Sequence, residues 1–392
     1  GDCMKKTIFI TIVLLLFSFI ISSFIEKKET EVDSKEERGI FISYIELSNY
    51  LKSKDKESGT KAIEEMVSNV SQLGFNLIIL QVRAFSDAIY SSSIYPWSSV
   101  VTDYEGNALD YDILDTFLKF SHKTGIKLFA WVNPYRIRGD EDISDLSSIN
   151  PAFSYLNTDT IYVSDGVYYN PAKEQTKELI VSGIDEIVKK YDVDGILFDD
   201  YFYPTVDEKI DLTDFTEYQK KNPSVTLTDF RLMQVTDLIK RVYKVCHKND
   251  VLFAVSPDGN MENNYQKHYA DVKLWGNTKG YVDYLMPQIY YGFYNEIKPF
   301  ISTLEEWENI STETLLMPVL AFYKVGLEDS FAKSGKYEWI ENNDIIMREI
   351  LLSRNSKKYS GFSLFRYDYL FNTNLQTKTT MLEIKNMKKV VK

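Results

Sequence analysis

Eight short apolar runs, separated by longer stretches of mixed character, limit what this chain can fold into. They lie at 39–47, 77–83, 127–135, 193–203, 251–257, 282–290, 315–323 and 359–367. Three of the stretches between them repeat apolar residues at helical spacing. Residues 59–73 carry Ile63, Met66, Val67 and Val70; 174–191 carry Leu179, Ile180, Ile184, Ile187 and Val188; 228–246 carry Leu232, Val235, Leu238, Ile239, Val242 and Val245. Gly74 and Gly125 follow helical stretches, where a left-handed residue ends a helix at no steric cost. Strands that alternate with helices predict a parallel sheet. Eight such units favour an α/β fold of the (β/α)8 TIM-barrel type over an open doubly wound sheet. With 392 residues, 44% of them hydrophobic, the chain can bury a core of that size.

Several functional classes lose support at once. No G-x-G-x-x-G or G-x-x-x-x-G-K-[ST] loop occurs, which argues against nucleotide binding. No G-x-S-x-G elbow occurs, which argues against an α/β-hydrolase. The formal net charge of −12 argues against nucleic acid, whose phosphates need a basic surface. The two cysteines, Cys3 and Cys246, stand on opposite sides of an apolar segment and suggest neither a disulfide framework nor a thiolate metal site. His122, His247 and His268 are not spaced as metal ligands, so no metal and no cofactor is expected. The 28 Tyr and 23 Phe leave room for both an aromatic core and an aromatic groove in which sugar faces stack.

The N-terminal part reads differently. From Thr7 to Ile25 the chain is almost wholly apolar, and Lys5 and Lys6 precede it. That length can cross a bilayer as a helix. No small-x-small cleavage site is evident near Ser22-Ser23-Phe24-Ile25, which favours an uncleaved signal anchor over a signal peptide for residues 1–25. Lysines inside would leave the remainder outside the cytoplasm, tethered to the membrane. Residues 26–37 read as a charged linker, 38–375 as the barrel and 376–392 as a basic tail.

In a barrel the reactive groups sit where strands end. The run ends here are rich in acids, amides, Arg, Trp and Tyr rather than Gly and Ser, a mix that suits a polysaccharide. Asp199-Asp200 is the strongest local signal: two adjacent acids close the apolar segment Val193 to Phe198. Strand alternation points them to opposite sides. A carboxyl in a partly dry mouth can be raised into the range of a general acid. Glycoside hydrolysis usually uses two carboxyls. Glu46, Asp87, Asp258 and Asp368 are candidates for the second, Glu46 and Asp258 first among them. Arg83 and Arg136 could orient a carboxylate or bind an acidic substrate group. Trp131, Tyr201, Tyr290 and Trp275 are stacking candidates. Gln81, Asn133, Tyr135 and Gln288 complete the polar rim.

These residues fall in longer motifs. Gln81-Val82-Arg83 with Ser86-Asp87-Ala88-Ile89-Tyr90, Ser92-Ser93 and Pro96-Trp97-Ser98 resembles the glycosyl hydrolase-like 10 family of bacterial cell-envelope proteins. So do Ala130 through Arg136, Val193 through Pro204, Val255-Ser256-Pro257 and Met286-Pro287-Gln288-Ile289-Tyr290. The resemblance covers roughly residues 38–370. It implies a TIM barrel, glycosidic hydrolysis and, as substrate class, peptidoglycan strands that lack stem peptides. The segment Asp194 to Tyr201 is also similar to the D-G-x-D-x-D-x-E strand of chitinase-type barrels. Here Leu197 replaces an acid and Tyr201 the catalytic Glu, so that mechanism does not transfer whole. Family members often carry an aromatic after Ser256-Pro257; this chain has Asp258.

The expected function is therefore a glycosidase acting on N-acetylhexosamine-containing cell-wall glycan. A barrel that binds carbohydrate without cleaving it is the alternative. An envelope protein of purely structural role fits the polar rim poorly. A metal-dependent deacetylase fits the scattered histidines poorly.

Overall fold

The computed structural model describes residues 36–391. The apolar run 7–25 lies outside the described residues, as does nearly all of the linker. Among the described residues no helix is long and apolar enough to cross a membrane.

The apolar runs become a curled parallel sheet. Its strands are β1 (Glu37–Ile42), β2 (Leu77–Arg83), β3 (Lys127–Val132), β4 (Gly195–Phe198) and β5 (Leu252–Val255), then the short pieces β6 (Tyr284–Leu285), β7 (Gln288–Ile289), β8 (Leu315–Leu316) and β9 (Val319–Leu320), and finally β10 (Gly361–Leu364). β1 to β5 pair in sequence order. β6 then pairs with β5 and β8, β7 with β9, β9 with β10, and β10 with β1. The sixth and seventh runs are each broken at a proline, Pro287 and Pro318, which has no N–H to give the ladder. Both carbonyls stay in use: Val319 N donates to Pro287 O and Ser363 N to Pro318 O, each at 2.9 Å.

Alternation along the strands divides the apolar side chains into two cores. Phe41, Ile79, Phe129, Trp131, Leu197, Ala254, Met286 and Val319 pack together as one cluster. Ile40, Ile78, Leu80, Leu128, Ile196, Phe253 and Leu285 join a larger cluster with the helices. Burial on both faces explains why the runs read as continuous rather than alternating.

Helices follow where the periodicity places them, at Lys56–Gln72, Glu174–Lys190 and Leu227–Lys248. Two helix C-termini are pinned to the sheet by one repeated device. His122 pairs with Asp194 and His247 with Asp283, each at 3.0 Å. Those same aspartates accept the backbone N–H of Leu128 (2.7 Å) and Phe253 (2.8 Å) in the neighbouring strands. After β3 a small antiparallel sheet of Arg136–Arg138, Ile161–Val163 and Val167–Tyr169 is inserted.

Three expected boundaries move. The run 39–47 is not one strand: β1 stops at Ile42 and a helix spans Tyr44–Leu51. Ser43 caps it, and Glu46 returns a hydrogen bond to the Ser43 backbone N (2.9 Å), a capping box. The run 359–367 is likewise a strand to Leu364 and then a helix at Tyr367–Phe371. The stretch 376–392, read as a tail, contains the helix Lys378–Val391, with Met387 and Val391 buried. Its Glu383 accepts from Ile345 N (2.9 Å) and Met347 N (3.1 Å), capping the helix Ile345–Ser353.

Candidate active site

Asp199 continues the inward-facing register of β4, two residues after Leu197. Its carboxylate is buried and accepts three N–H groups. Trp131 Nε1 donates to Oδ2 at 2.8 Å, Asn133 Nδ2 to Oδ2 at 3.5 Å, and the Tyr201 backbone N to Oδ1 at 3.2 Å. Trp131 reaches it edge-on because its ring is wedged against Phe41, 5.4 Å between centroids. Burial and then the neighbouring Asp200 charge push Asp199 up to about 7, against the opposing pull of these donors and of Arg136. Asp200 is raised too, mainly by burial. Adjacent buried carboxyls do not both ionise readily, so the pair titrates as a unit.

Asp200 turns toward a cavity of about 240 Å³. Gln288 Nε2 holds its Oδ1 at 3.0 Å while also donating to the Ser256 carbonyl at 3.0 Å. Asp258, Tyr290, Tyr291, Lys324 and Phe331 are among the other residues lining that cavity. Asp258 is built differently from Asp200. Burial alone would raise it, but the His268 imidazole, with Nε2 3.9 Å from Oδ2, and the donors Asn260 N (2.7 Å) and Asn263 Nδ2 (2.9 Å) outweigh burial and hold it below the ordinary carboxylate range. Of the carboxyls lining the cavity, Asp200 is thus shifted upward and Asp258 downward.

Around the other side of Asp199 the rim is cationic and aromatic. Arg136 follows β3, and its Nε donates to the Ala84 carbonyl at 3.1 Å. Its guanidinium carbon lies 4.7 Å from the Phe85 ring centroid and 4.9 Å from that of Tyr201. The Tyr201 side chain is 46% exposed and free to meet a ligand face. Gln81 is buried below this rim, where its Oε1 accepts the Tyr44 backbone N at 3.0 Å.

The structure therefore gathers Asp199, Asp200, Asp258, Trp131, Asn133, Arg136, Tyr201, Gln288 and Tyr290 around one mouth, with Gln81 in support. Trp131 serves as a hydrogen-bond donor to Asp199 rather than as an open stacking face. Other expected residues go elsewhere. A register shift in β2 sets Gln81 opposite Trp131 but Arg83 opposite Val132. That bulge turns Arg83 to the outer face, where it lies 3.7 Å over the Tyr95 ring and close to Gly183 of the covering helix. Asp87 is buried beside Ser98, raised to about 7 by burial. Tyr135 is buried with its hydroxyl lacking a partner among the described residues. Asp368 is buried against Asn49, 3.3 Å away. Glu46 is fully buried and spent on Ser43, the Arg366 guanidinium and the Asp368 backbone N–H. Trp275 is a core residue, donating to Thr236 at 3.2 Å.

His268, Lys324, Asp329 and Phe331 belong to the mouth but escaped the sequence reading. Lys324 ends a 3-10 turn one residue past the seventh run and the other three lie in loops, so no periodic pattern marked them. Among the described residues no group of three or more His, Cys, Asp or Glu side chains converges as a metal site.

Comparison with known proteins bears on family and fold. The chain is 30% identical over 352 residues to the glycosyl hydrolase DigH of Escherichia coli K12, covering 82% of this chain and 79% of that one. It is 29% identical over 331 residues to the glycosyl hydrolase YngK of Bacillus subtilis, covering 78% of this chain but only 64% of that longer protein. Among solved structures, the PgaB (BpsB) glycoside hydrolase domain from Bordetella bronchiseptica superposes with a TM-score of 0.57 at 11% identity, over 90% of this chain and 99% of that one. The catalytic domain of β-amylase from Paenibacillus polymyxa gives 0.56 at 12% identity, over 92% and 100%. At such identities these two structures speak for the fold alone. The model of the glycosyl hydrolase-like 10 family matches residues 36–335, and it is to this family that the chain belongs.

Proposed function

We propose that the chain is a glycoside hydrolase of the (β/α)8 type, cleaving N-acetylhexosamine-containing cell-wall glycan. The observation that carries this reading is the cavity in which Asp200 and Asp258 face one another's solvent space with opposite acid–base leanings. Carboxyls pushed apart in this way divide into an acid and a base or nucleophile. Asp200 is the proton donor to the leaving oxygen. Asp199 lies behind it, coupled to it through charge, and is oriented by Trp131, Asn133 and the Tyr201 backbone. Asp258, held ionised, stabilises positive charge at the anomeric carbon or activates water.

The finer substrate assignment, peptide-free peptidoglycan strands, rests on family resemblance. Attachment to the membrane with the barrel outside the cytoplasm rests on the apolar run 7–25. The test of function is product analysis by mass spectrometry after incubating residues 36–392 with peptide-free peptidoglycan strands, intact peptidoglycan and chitin oligomers. Shortened glycan from the first of these is expected. Binding without product from any glycan would instead support a carbohydrate-binding barrel.

A further inference from the structure

We infer that the two sides of the mouth are charge-sorted, so that an alternating glycan, in which every second sugar bears a carboxylate, binds in a single register across the acid pair. The inference deepens the proposed glycosidase reading and rests on it for the substrate class.

The sorting is visible in the lining residues. The cavity beyond Asp200 is on the scale of one sugar unit, about 240 Å³. Asp200, Asp258 and Asp329 line it, with Lys324 as the one Lys or Arg in the lining. The charge of Lys324 is already spent: its Nζ donates to Asp329 Oδ2 at 2.7 Å and to the Tyr290 carbonyl at 2.8 Å. That leaves an ionised Asp258, with Asp200 beside it, facing any occupant. A carboxylate placed there meets like charge at short range in a partly dry site, a repulsive element that discriminates against it. The rest of the lining suits a neutral sugar. Tyr290 and Tyr291 give ring faces, and Phe331, 81% exposed, stands at the edge as an open platform.

The opposite side has the reverse character. Tyr44, Phe85, Arg136 and Tyr201 come from the segments after β1, β2, β3 and β4, whereas the cavity residues other than Asp200 come from the segment after β5, the end of the sixth run and the segments after the sixth and seventh runs. Arg136 forms no ion pair among the described residues. Its stem is fixed by the Nε bond to Ala84, and the Phe85 and Tyr201 rings hold its plane. A guanidinium so held is a ready partner for a carboxylate, which it can engage with two parallel donors. A neutral unit in the cavity therefore sets the next, acidic unit toward Arg136. Only one of the two linkage types in the chain then lies across Asp199 and Asp200.

The test compares peptide-free peptidoglycan strands with the same strands after chemical reduction of their carboxyls to alcohols. Affinity of residues 36–392 for each is measured by calorimetry, and the terminal sugars of any products by mass spectrometry. Wild type should bind the acidic strand more tightly, by about tenfold, a margin that shrinks with added salt. Arg136→Gln should erase that margin, and Arg136→Lys should restore part of it. All products should carry the same sugar at each new end. Equal affinity for the two strands, or an undiminished margin in Arg136→Gln, overturns the inference, as does a mixture of new ends. Charge-selective binding without products would sink the hydrolase reading but keep the sorting. Products with mixed ends and equal affinities would do the reverse.

Discussion

Replacing Asp199 with Asn removes a carboxyl that burial holds protonated to about pH 7. A folded pKa above the unfolded value means the folded state binds more protons between the two, so the wild type loses stability as pH rises through that window. The stability of Asp199→Asn should lack this fall. Thermal unfolding of both proteins from about pH 4 to about pH 8 should show the wild type losing ground to the variant; parallel curves would mean Asp199 titrates normally. Activity should show the opposite preference. Turnover in Asp199→Asn should drop by about 10²–10⁴, the usual scale for proton-transfer groups. Wild-type kcat/KM should fall on the alkaline side as the coupled Asp199–Asp200 pair loses its proton, and on the acid side as Asp258 protonates. An alkaline limb that persists in Asp258→Asn, without the acid limb, fits that division of roles. Glu46 is a different kind of buried acid. Glu46→Ala removes the carboxylate that pairs with the largely buried Arg366 guanidinium and should cost about 3–5 kcal/mol in denaturant unfolding; a loss of turnover with unchanged stability would return Glu46 to the list of catalytic acids.

The elements behave as their local sequence says, once both signals at a junction are weighed. Ser43-Tyr44-Ile45-Glu46 is a capping-box pattern, yet the hydrophobic Tyr44, Ile45 and Leu47 extend the run past it and disguise the helix start. Leu227–Lys248 opens on the same device, Thr226 with Asp229, and there the helical period was unbroken and the helix legible. Asp199 and Asp200 were legible because they end a run of pure apolar residues. Arg83 was misread because a bulge is a backbone event with no residue signature in Gln81-Val82-Arg83; it reverses the face of every side chain after it. His268 and the Lys324–Asp329 pair were invisible because loops obey no period and their residues converge only in space. The loop after β5 also offers a test at this scale. A Cβ on Gly259 would come 2.2 Å from the Gln288 carbonyl oxygen, a backbone atom of the strand end that positions Gln288 against Asp200. Gly259→Ala should therefore shift that strand end, cost about 1–3 kcal/mol and lower kcat by more than KM changes. Unaltered kinetics would show that Gln288 does not set the position of Asp200.

Across the whole molecule, the described residues from Glu37 onward form one compact unit. The ladder runs from β7 through β9, β10 and β1 to β5, β6 and β8, curling so that the ends of distant segments arrive at one mouth. The parallel α/β sheet was readable from the alternation of apolar runs with helical stretches, since such a sheet buries both its faces. The extent of the unit was not, because the basic residues of 376–392 mask an amphipathic helix. Ending the chain after residue 377 removes buried Met387 and Val391 and the Glu383 cap on Ile345–Ser353. That truncation should lower the unfolding midpoint markedly, whereas a chain beginning at Glu36 should unfold in one cooperative transition; an unaffected midpoint on truncation would mark the last helix as an appendage.

The central claim is that Asp200 donates a proton to a departing sugar oxygen. It is tested most directly by the rate of Asp200→Asn on two substrates, the natural glycan and an N-acetylhexosaminide with a dinitrophenyl leaving group, which departs without protonation. The expected result is a loss of about 10² or more on the glycan and a far smaller loss on the activated substrate. Equal losses on both, with the fold intact, would contradict an acid role for Asp200.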